Sequence, residues 1–264
     1  MMKPLWKPAL FFVFLLAILL AVNLPVGLIL NQVALPNGIK LNDVKGQITS
    51  GHIAVVDVNN FPIRDINYEA DLSCLLSLHV CYQINYQNGK ATISFNPLTS
   101  KTEIKQLDVE YSLAELSPLM SQLLFKPKGE INLKFNQINI HHNNVNQIKM
   151  GHVDGLVLWR NAGVVGEDIN LGDYQFEVAS EDNSYRFKLT DKQALLGMDG
   201  TGRLKSNGEY LLDIKIKADS GLDNNIKSML TLAAKKKGLN EYVIYRQGQL
   251  PPHLARQLLF SDTL

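Results

Sequence analysis

The sequence predicts a mainly β protein: an N-terminal transmembrane helix, then antiparallel, hairpin-built, twisted or curved sheet with one or two short covering helices. Three observations predict it. An uncharged apolar run fills residues 8–30, PALFFVFLLAILLAVNLPVGLIL. Apolar and polar residues then alternate in short runs along most of the remaining chain. Asn-Gly and Asp-Gly pairs punctuate those runs, and such pairs supply the positive φ angles that tight hairpins need.

Residues 1–7 carry Lys3 and Lys7 and no acidic residue, so this short N-terminus is expected to stay cytoplasmic. Residues 8–30 read as an uncleaved signal anchor. As a helix the run spans roughly 34 Å, enough for a hydrocarbon core about 30 Å thick. Asn23 is its only strongly polar side chain. Pro25 is expected to kink or end the helix near the far interface, where its missing hydrogen bond is cheap. A cleaved signal peptide is the alternative, but it calls for an apolar region of only ~7–15 residues and a small-x-small cleavage site. The run here is longer, and Ala21-Val22-Asn23 makes a poor site. A buried core helix is the third reading. With the anchor in place, residues 31–264 lie in the periplasm of a single-pass inner-membrane protein.

Roughly 230 residues follow the anchor, enough for one large or two small domains with a core. Net charge is +1, from 26 Lys and Arg against 25 Asp and Glu. That balance offers neither the basic footprint of a nucleic-acid binder nor a long acidic tail. Two lobes are expected, at about 31–145 and 146–250, with a tail at 251–264. Their basis is an internal echo: Gly46-Gln47-Ile48 and Gly51-His52-Ile53 resemble Gly151-His152-Val153-Asp154-Gly155 about a hundred residues later.

Only two cysteines occur, Cys74 and Cys81. Beyond the membrane both would sit in an oxidising compartment. Their spacing suits a disulfide across the base of a hairpin or short loop, worth about 2–3 kcal/mol in the chain-entropy model. Two buried free thiols are the alternative. No C-x-x-C motif or H-x-x-x-H partner accompanies them, so a metal site is not expected.

Strand periodicity begins at Ala91-Thr92-Ile93-Ser94-Phe95 and returns in Ile131, Leu133 and Phe135, followed by Ile138 and Ile140. It runs on through Tyr174-Phe176-Val178, Tyr185-Phe187-Leu189 and Leu212-Ile214-Ile216. Asn, Lys, Gln, Glu, Arg and Asp mostly fill the positions between, as a sheet with one wet face requires. Turns are expected at Asn88-Gly89, Asp182-Asn183, Asp199-Gly200 and Asn207-Gly208. Two segments have helical spacing instead. Ser112–Phe125 is one, interrupted by Pro118. The other starts at Asp223 as N-cap, presents Ile226, Met229, Leu230 and Ala233, and runs through Lys235–Lys237 to a stop at Gly238. The lysines suit a helix C-terminus better than a lipid headgroup site. In the tail, Leu254, Leu258 and Leu259 share one helical side, but a helix this short cannot hold itself together alone.

Catalytic constellations are missing from the sequence. It has no G-x-S-x-G elbow, Walker loop, dinucleotide-binding G-x-G-x-x-G or H-E-x-x-H. His141-His142 lies in an Asn-rich turn, and His52 and His152 follow glycines at strand starts. No enzyme activity, cofactor or metal is expected.

The C-terminal half carries a resemblance. Gly151 and Gly155 lead into Leu156-Val157-Leu158-Trp159, with Ala162 beyond. Leu171-Gly172-Asp173-Tyr174 follows, then a pair of alternating strands, GTGRLKSNGEYLLDIKIKA, the helix with its basic end, and NEYVIYRQGQL closing on Gly248 and Leu250. This pattern resembles the type II secretion system protein N family. In the N-terminal half such proteins carry a Val-x-Gly-Thr-Leu-Trp-x-Gly signature. Here Val44, Gly46, Ile48 and Gly51 stand in that stretch, with Thr49 where the tryptophan would fall, while Trp159 keeps the aromatic of the second half. The tail beyond Leu250 lies outside the likeness. Gly46, Gly51, Gly155, Trp159, Gly172, Tyr174 and Gly248 are therefore expected to be structural positions. The resemblance implies an accessory, non-catalytic component of the machine that exports folded proteins. Its role would be scaffold or assembly factor, and its partners other secretion components of the inner membrane and periplasm. A one-sided sheet also fits a periplasmic lipid-handling protein whose apolar β-groove holds a lipid ligand, and a closed apolar face would tell against that alternative.

Overall fold

A computed structural model describes residues 23–30, 39–58, 61–116, 126–144, 147–166, 170–182, 184–192 and 194–250, with isolated positions 10, 12, 13, 16 and 20 ahead of them. Neighbouring strands pair antiparallel almost throughout, and the chain divides into two units, Met1–Gln87 and Asn88–Leu264.

The first unit holds helix α1 (Val26–Leu30) and strands β1 (Ile39–Gly46), β2 (Ser50–Val58), β3 (Phe61–Asp71) and β4 (Val80–Tyr86), paired in sequence order. Gly46, at φ 113°, faces Gly51 where β1 turns into β2. Tyr68 donates to the Gln47 carbonyl at 2.8 Å and Tyr82 to the Ile48 carbonyl at 3.2 Å, so two side chains clamp this turn. A 310 helix, Leu72–Ser77, follows β3. Asp71 caps it by accepting from the Ser73 hydroxyl at 2.6 Å and the Ser73 N–H at 3.0 Å, and these bonds hold its carboxyl below the usual range. The Cys74–Cys81 disulfide, with Cα atoms 5.9 Å apart, ties this helix to the start of β4. Among the described residues of this unit, only Ile66 and Cys81 are buried apolar side chains.

The second unit contains β5 (Gly89–Asn96), β6 (Lys101–Ser112), β7 (Pro127–Asn144), β8 (Gln147–Val164), β9 (Gly172–Glu181), β10 (Ser184–Lys192), β11 (Leu196–Lys205) and β12 (Glu209–Ala218). Helix α2 (Asn224–Ala233), β13 (Lys235–Lys236) and β14 (Glu241–Gln249) complete it. The order is sequential to β12, then β14, with β13 outermost. Direct cross-strand pairing lines up one apolar row: Val109, Leu133, Val157, Phe176, Leu189, Gly200, Ile214 and Ile244. A parallel row runs through Leu107, Phe135, Gly155, Val178, Phe187, Gly202 and Leu212. Alternation in sequence thus becomes one continuous apolar face. Over its C-terminal part α2 buries Ile226 and Leu230 with Ile216, Ala218 and Tyr242. Asp223 caps that helix, accepting from the Asn225 N–H at 2.7 Å.

Bulges explain the changes of phase. Between Phe135 and Gln137 the β7–β8 register slips by one residue, which moves the apolar positions from Ile131-Leu133-Phe135 to Ile138-Ile140 without changing face. The same device between Trp159 and Ala162 in β8 puts fully buried Ala162 on the Trp159 side.

Several expectations need correction. Asp199-Gly200 is no turn. Gly200 lies inside β11 opposite Ile214, and a Cβ there would come 2.8 Å from the Ile214 Cγ1 atom. The glycine makes room for a neighbour instead of reversing the chain. Helix α2 stops at Ala233, before the lysines. Ala234 is already extended, and Lys235 and Lys236 pair with Val243 and Tyr242 as β13. Edge pairing draws these two residues out of the helix, and lysine is a common guard of sheet edges. Of the helix expected at Ser112–Phe125, Ser112 ends β6, Leu113–Leu116 form a turn, and residues 117–125 lie outside the described residues. The expected lobe boundary at 145/146 lies outside the described residues, between β7 and β8. The tail at 251–264 also lies outside the described residues, as does most of the expected anchor at 8–30. Within that span, Leu10, Phe12, Val13, Leu16 and Leu20 are helical and exposed. Pro25 bridges to Gln47 just before α1. Among the described residues no helix is long and apolar enough to cross a membrane.

Candidate functional site

The positions singled out in the sequence become geometry on the apolar face of the second unit. Strands β8 and β9 bring Trp159 and Tyr174 directly opposite one another, with ring centroids 5.7 Å apart. The Trp159 indole N–H donates to the Lys128 carbonyl at 3.0 Å, tying β8 to β7. Tyr174 is buried, and its hydroxyl donates to the carbonyls of Leu196 at 2.8 Å and Leu171 at 3.3 Å. Burial, aided by the nearby Asp191 carboxylate, raises its pKa. Gly172, at φ 117°, leaves no space for a Cβ against Ala194, so the loop before β10's successor packs onto the same corner. Trp159, Gly172 and Tyr174 thus meet where the loop ending at Leu171 enters the sheet.

A second tyrosine, which sequence reasoning missed, repeats the device. Tyr185 donates to the carbonyls of Met150 at 2.8 Å and Gly151 at 3.0 Å, and burial pushes its pKa up to about 12. The signal for it was present in the Gly151-His152-Val153 echo, since Gly151 offers one of the two acceptors. Neither hydroxyl is poised as a base or nucleophile, because each is a neutral donor committed to backbone carbonyls.

Three of the expected glycines share one physical role. Gly155 lies across from Phe135 and Gly248 across from Tyr210; in the first unit Gly51 lies across from Tyr68. At each, a Cβ would run into the partner's aromatic ring or hydroxyl. An aromatic ring laid over a cross-strand glycine shields backbone that the glycine leaves bare. Gly46 backs onto Gly51, at the turn already described.

Sequence reasoning also missed a cleft at the end of the second unit. It is open, about 560 Å³ in volume, and lies beside β14 between the C-terminal end of α2 and β13. Lys215, Lys235, Lys237 and Arg246 line it together with Asp213, Leu232 and Tyr245. Only the lysine run was legible beforehand. Among the described residues no group of three or more His, Cys, Asp or Glu could hold a metal ion. His52 reaches Asn67, with 3.2 Å between Nδ1 and Oδ1.

These features define a class: an antiparallel β protein whose distinctive tyrosine, tryptophan and glycine residues lock strands to loops. The chain belongs to the type II secretion system protein N family, since the family described as "Type II secretion system (T2SS), protein N" matches residues 37–244. It is similar to a protein named "Type II secretion system protein N" from Vibrio cholerae serotype O1 (strain ATCC 39315 / El Tor Inaba N16961). The two are 21% identical over 244 residues, covering 87% of this chain and 92% of the relative. No solved structure matches the chain.

Proposed function

We propose that this protein is a non-catalytic component of the type II secretion system, anchored in the inner membrane through residues 8–30 with its β-rich body in the periplasm. Its role is that of a scaffold or assembly factor acting with other secretion components. The observation that carries this reading is the family match across residues 37–244, which takes in strands of both units. The geometry supports a structural role, because the buried hydroxyls are spent on backbone carbonyls. The lipid-groove alternative is less well supported, since α2 lies over the apolar face at β11, β12 and β14 and buries Ile226 and Leu230 there.

The test is copurification. Tagged full-length protein, extracted from its own host in mild detergent, should bring down inner-membrane secretion components. Deleting its gene should lower export of the secreted folded proteins while leaving their synthesis intact. Unchanged export with no secretion component recovered, and stoichiometric phospholipid in the purified protein, would overturn the reading in favour of lipid handling.

A further inference from the structure

We propose that the outer edge of β14 is a strand-addition site for an extended acidic segment of a partner protein. This deepens the scaffold reading and rests on it. Lys237 N–H donates to the Glu241 carbonyl at 2.9 Å, and β13 pairs with β14 only at Val243 and Tyr242. On the other side Ala218 N–H donates to the Asn240 carbonyl, and Leu250 N–H to the Gly208 carbonyl. Backbone groups alternate between the two sides of a strand, so even-numbered residues face β12 and odd-numbered residues face outward. Beyond the reach of β13, Tyr245, Gln247 and Gln249 therefore direct their N–H and C=O groups away from the sheet. Among the described residues no strand pairs with them there.

This stretch is about 17 Å long at strand rise, enough for a five-residue ladder. Two of the usual protections of an edge are missing from it. It has no proline, and its register with β12 runs without a bulge from Glu209–Gln249 to Lys217–Glu241.

The charge beside it names the occupant. Lys215, Lys235, Lys237 and Arg246 line the adjoining cleft against the single carboxylate of Asp213. Among the described residues none of the four cations lies in a salt bridge. Leu232, 85% exposed, and Tyr245, 52% exposed, add apolar surface for alternate side chains. An incoming strand with carboxylates on one face would meet Lys215 and Lys235, which pairing sets on the face of Val243, and backbone groups along its length, the arrangement of β-strand addition. A lipid headgroup would use the cations but not the in-plane row of donors and acceptors. The chain's own residues 251–264 are a poor complement, carrying His253 and Arg256 against one acid, Asp262.

The probe is a fluorescein-labelled eight-residue peptide of alternating valine and glutamate, read by anisotropy against the full chain in neutral detergent at low salt. Its lysine-for-glutamate counterpart is the control. The glutamate peptide should bind and the lysine peptide should not. Gln247→Pro removes one outward N–H and no bond to β12, so it should weaken binding about tenfold with an unchanged melting temperature. The exposed pair Lys235→Glu and Lys237→Glu should weaken it to a similar degree, and decides the matter should the proline variant melt early. No binding of the glutamate peptide, or binding indifferent to both sets of changes, would overturn the proposal. So would binding of labelled short-chain phosphatidylglycerol, lost on charge reversal but kept in Gln247→Pro, without peptide binding. Should the peptide fail while secretion components still copurify, the edge assignment falls and the scaffold reading stands.

Discussion

Gly155 has no room for a side chain, because a Cβ there would enter the ring of Phe135. Gly155→Val should therefore cost about 1–3 kcal/mol by overpacking. Phe135→Ala in the same chain should recover part of that loss, so the double mutant falls short of the sum of the singles. Urea denaturation of the four proteins measures the coupling. Trp159 is only partly buried, with its indole N–H bonded to Lys128. Trp159→Ala should thus cost about 2 kcal/mol, less than the ~3–5 kcal/mol of a fully buried tryptophan. An equally stable variant that loses copurifying partners would make Trp159 an interface residue instead. Tyr174 and Tyr185 both have raised pKa values, the latter to about 12 from an ordinary 10.0. The native state then holds these protons where the unfolded chain has released them. Their contribution to stability is complete below pH 10 and declines as pH climbs toward 12. The melting temperature should fall across that window, and Tyr185→Phe should fall less steeply, from a lower starting point because the Met150 and Gly151 carbonyls lose their donor.

Among the elements, the Cys74–Cys81 link bears on the first unit more than composition suggested. A body of some 230 residues reads as indifferent to one short loop, but Ile66 and Cys81 are the buried apolar residues described in that unit. The link closes a loop worth about 2–3 kcal/mol. Thiol labelling of envelope protein without reductant should find neither cysteine. Replacing both with Ala should open the 72–86 region to protease while the second unit keeps its hydrogen-exchange protection; uniform loss across both would contradict this. Much of the element order was legible, because alternation depends only on one wet face and one dry one. Tyr174-Phe176-Val178 and Leu212-Ile214-Ile216 fall in β9 and β12 with the expected side inward. What failed had non-local causes. Asp199-Gly200 carries turn chemistry, yet Ile214 on the next strand needs the space. Lys235–Lys237 continue a helical pattern, yet the open side of β14 captures two of them. The cleft was illegible for the same reason: Lys215 and Arg246 stand far from the lysine run in sequence and meet it only through strand pairing.

For the whole molecule, the question is which side of the membrane the sheet occupies. Lys3 and Lys7 precede the apolar run and no acidic residue does, so the bias is to hold the N-terminus in the cytoplasm. In the topology proposed above, a single span delivers every strand, and both cysteines, to the periplasm. A reporter that works only in the periplasm, fused after residue 40, should be active, whereas the same fusion to a reporter confined to the cytoplasm should be silent. Cleavage after the apolar run would give the same reporter result, so size must separate the two. The envelope protein should run at the full 29.5 kDa and resist extraction by carbonate. Exchanging residues 1–30 for a cleavable signal should release a folded, soluble body whose second unit melts as before, because its core is made by residues beyond 88, while the first unit loses the Pro25–Gln47 bridge and α1. Loss of export in that strain would mean that the anchor must hold the sheet beside its partners at the inner membrane. Full export from the released body would show that the strands alone suffice and that residues 8–30 serve only for delivery.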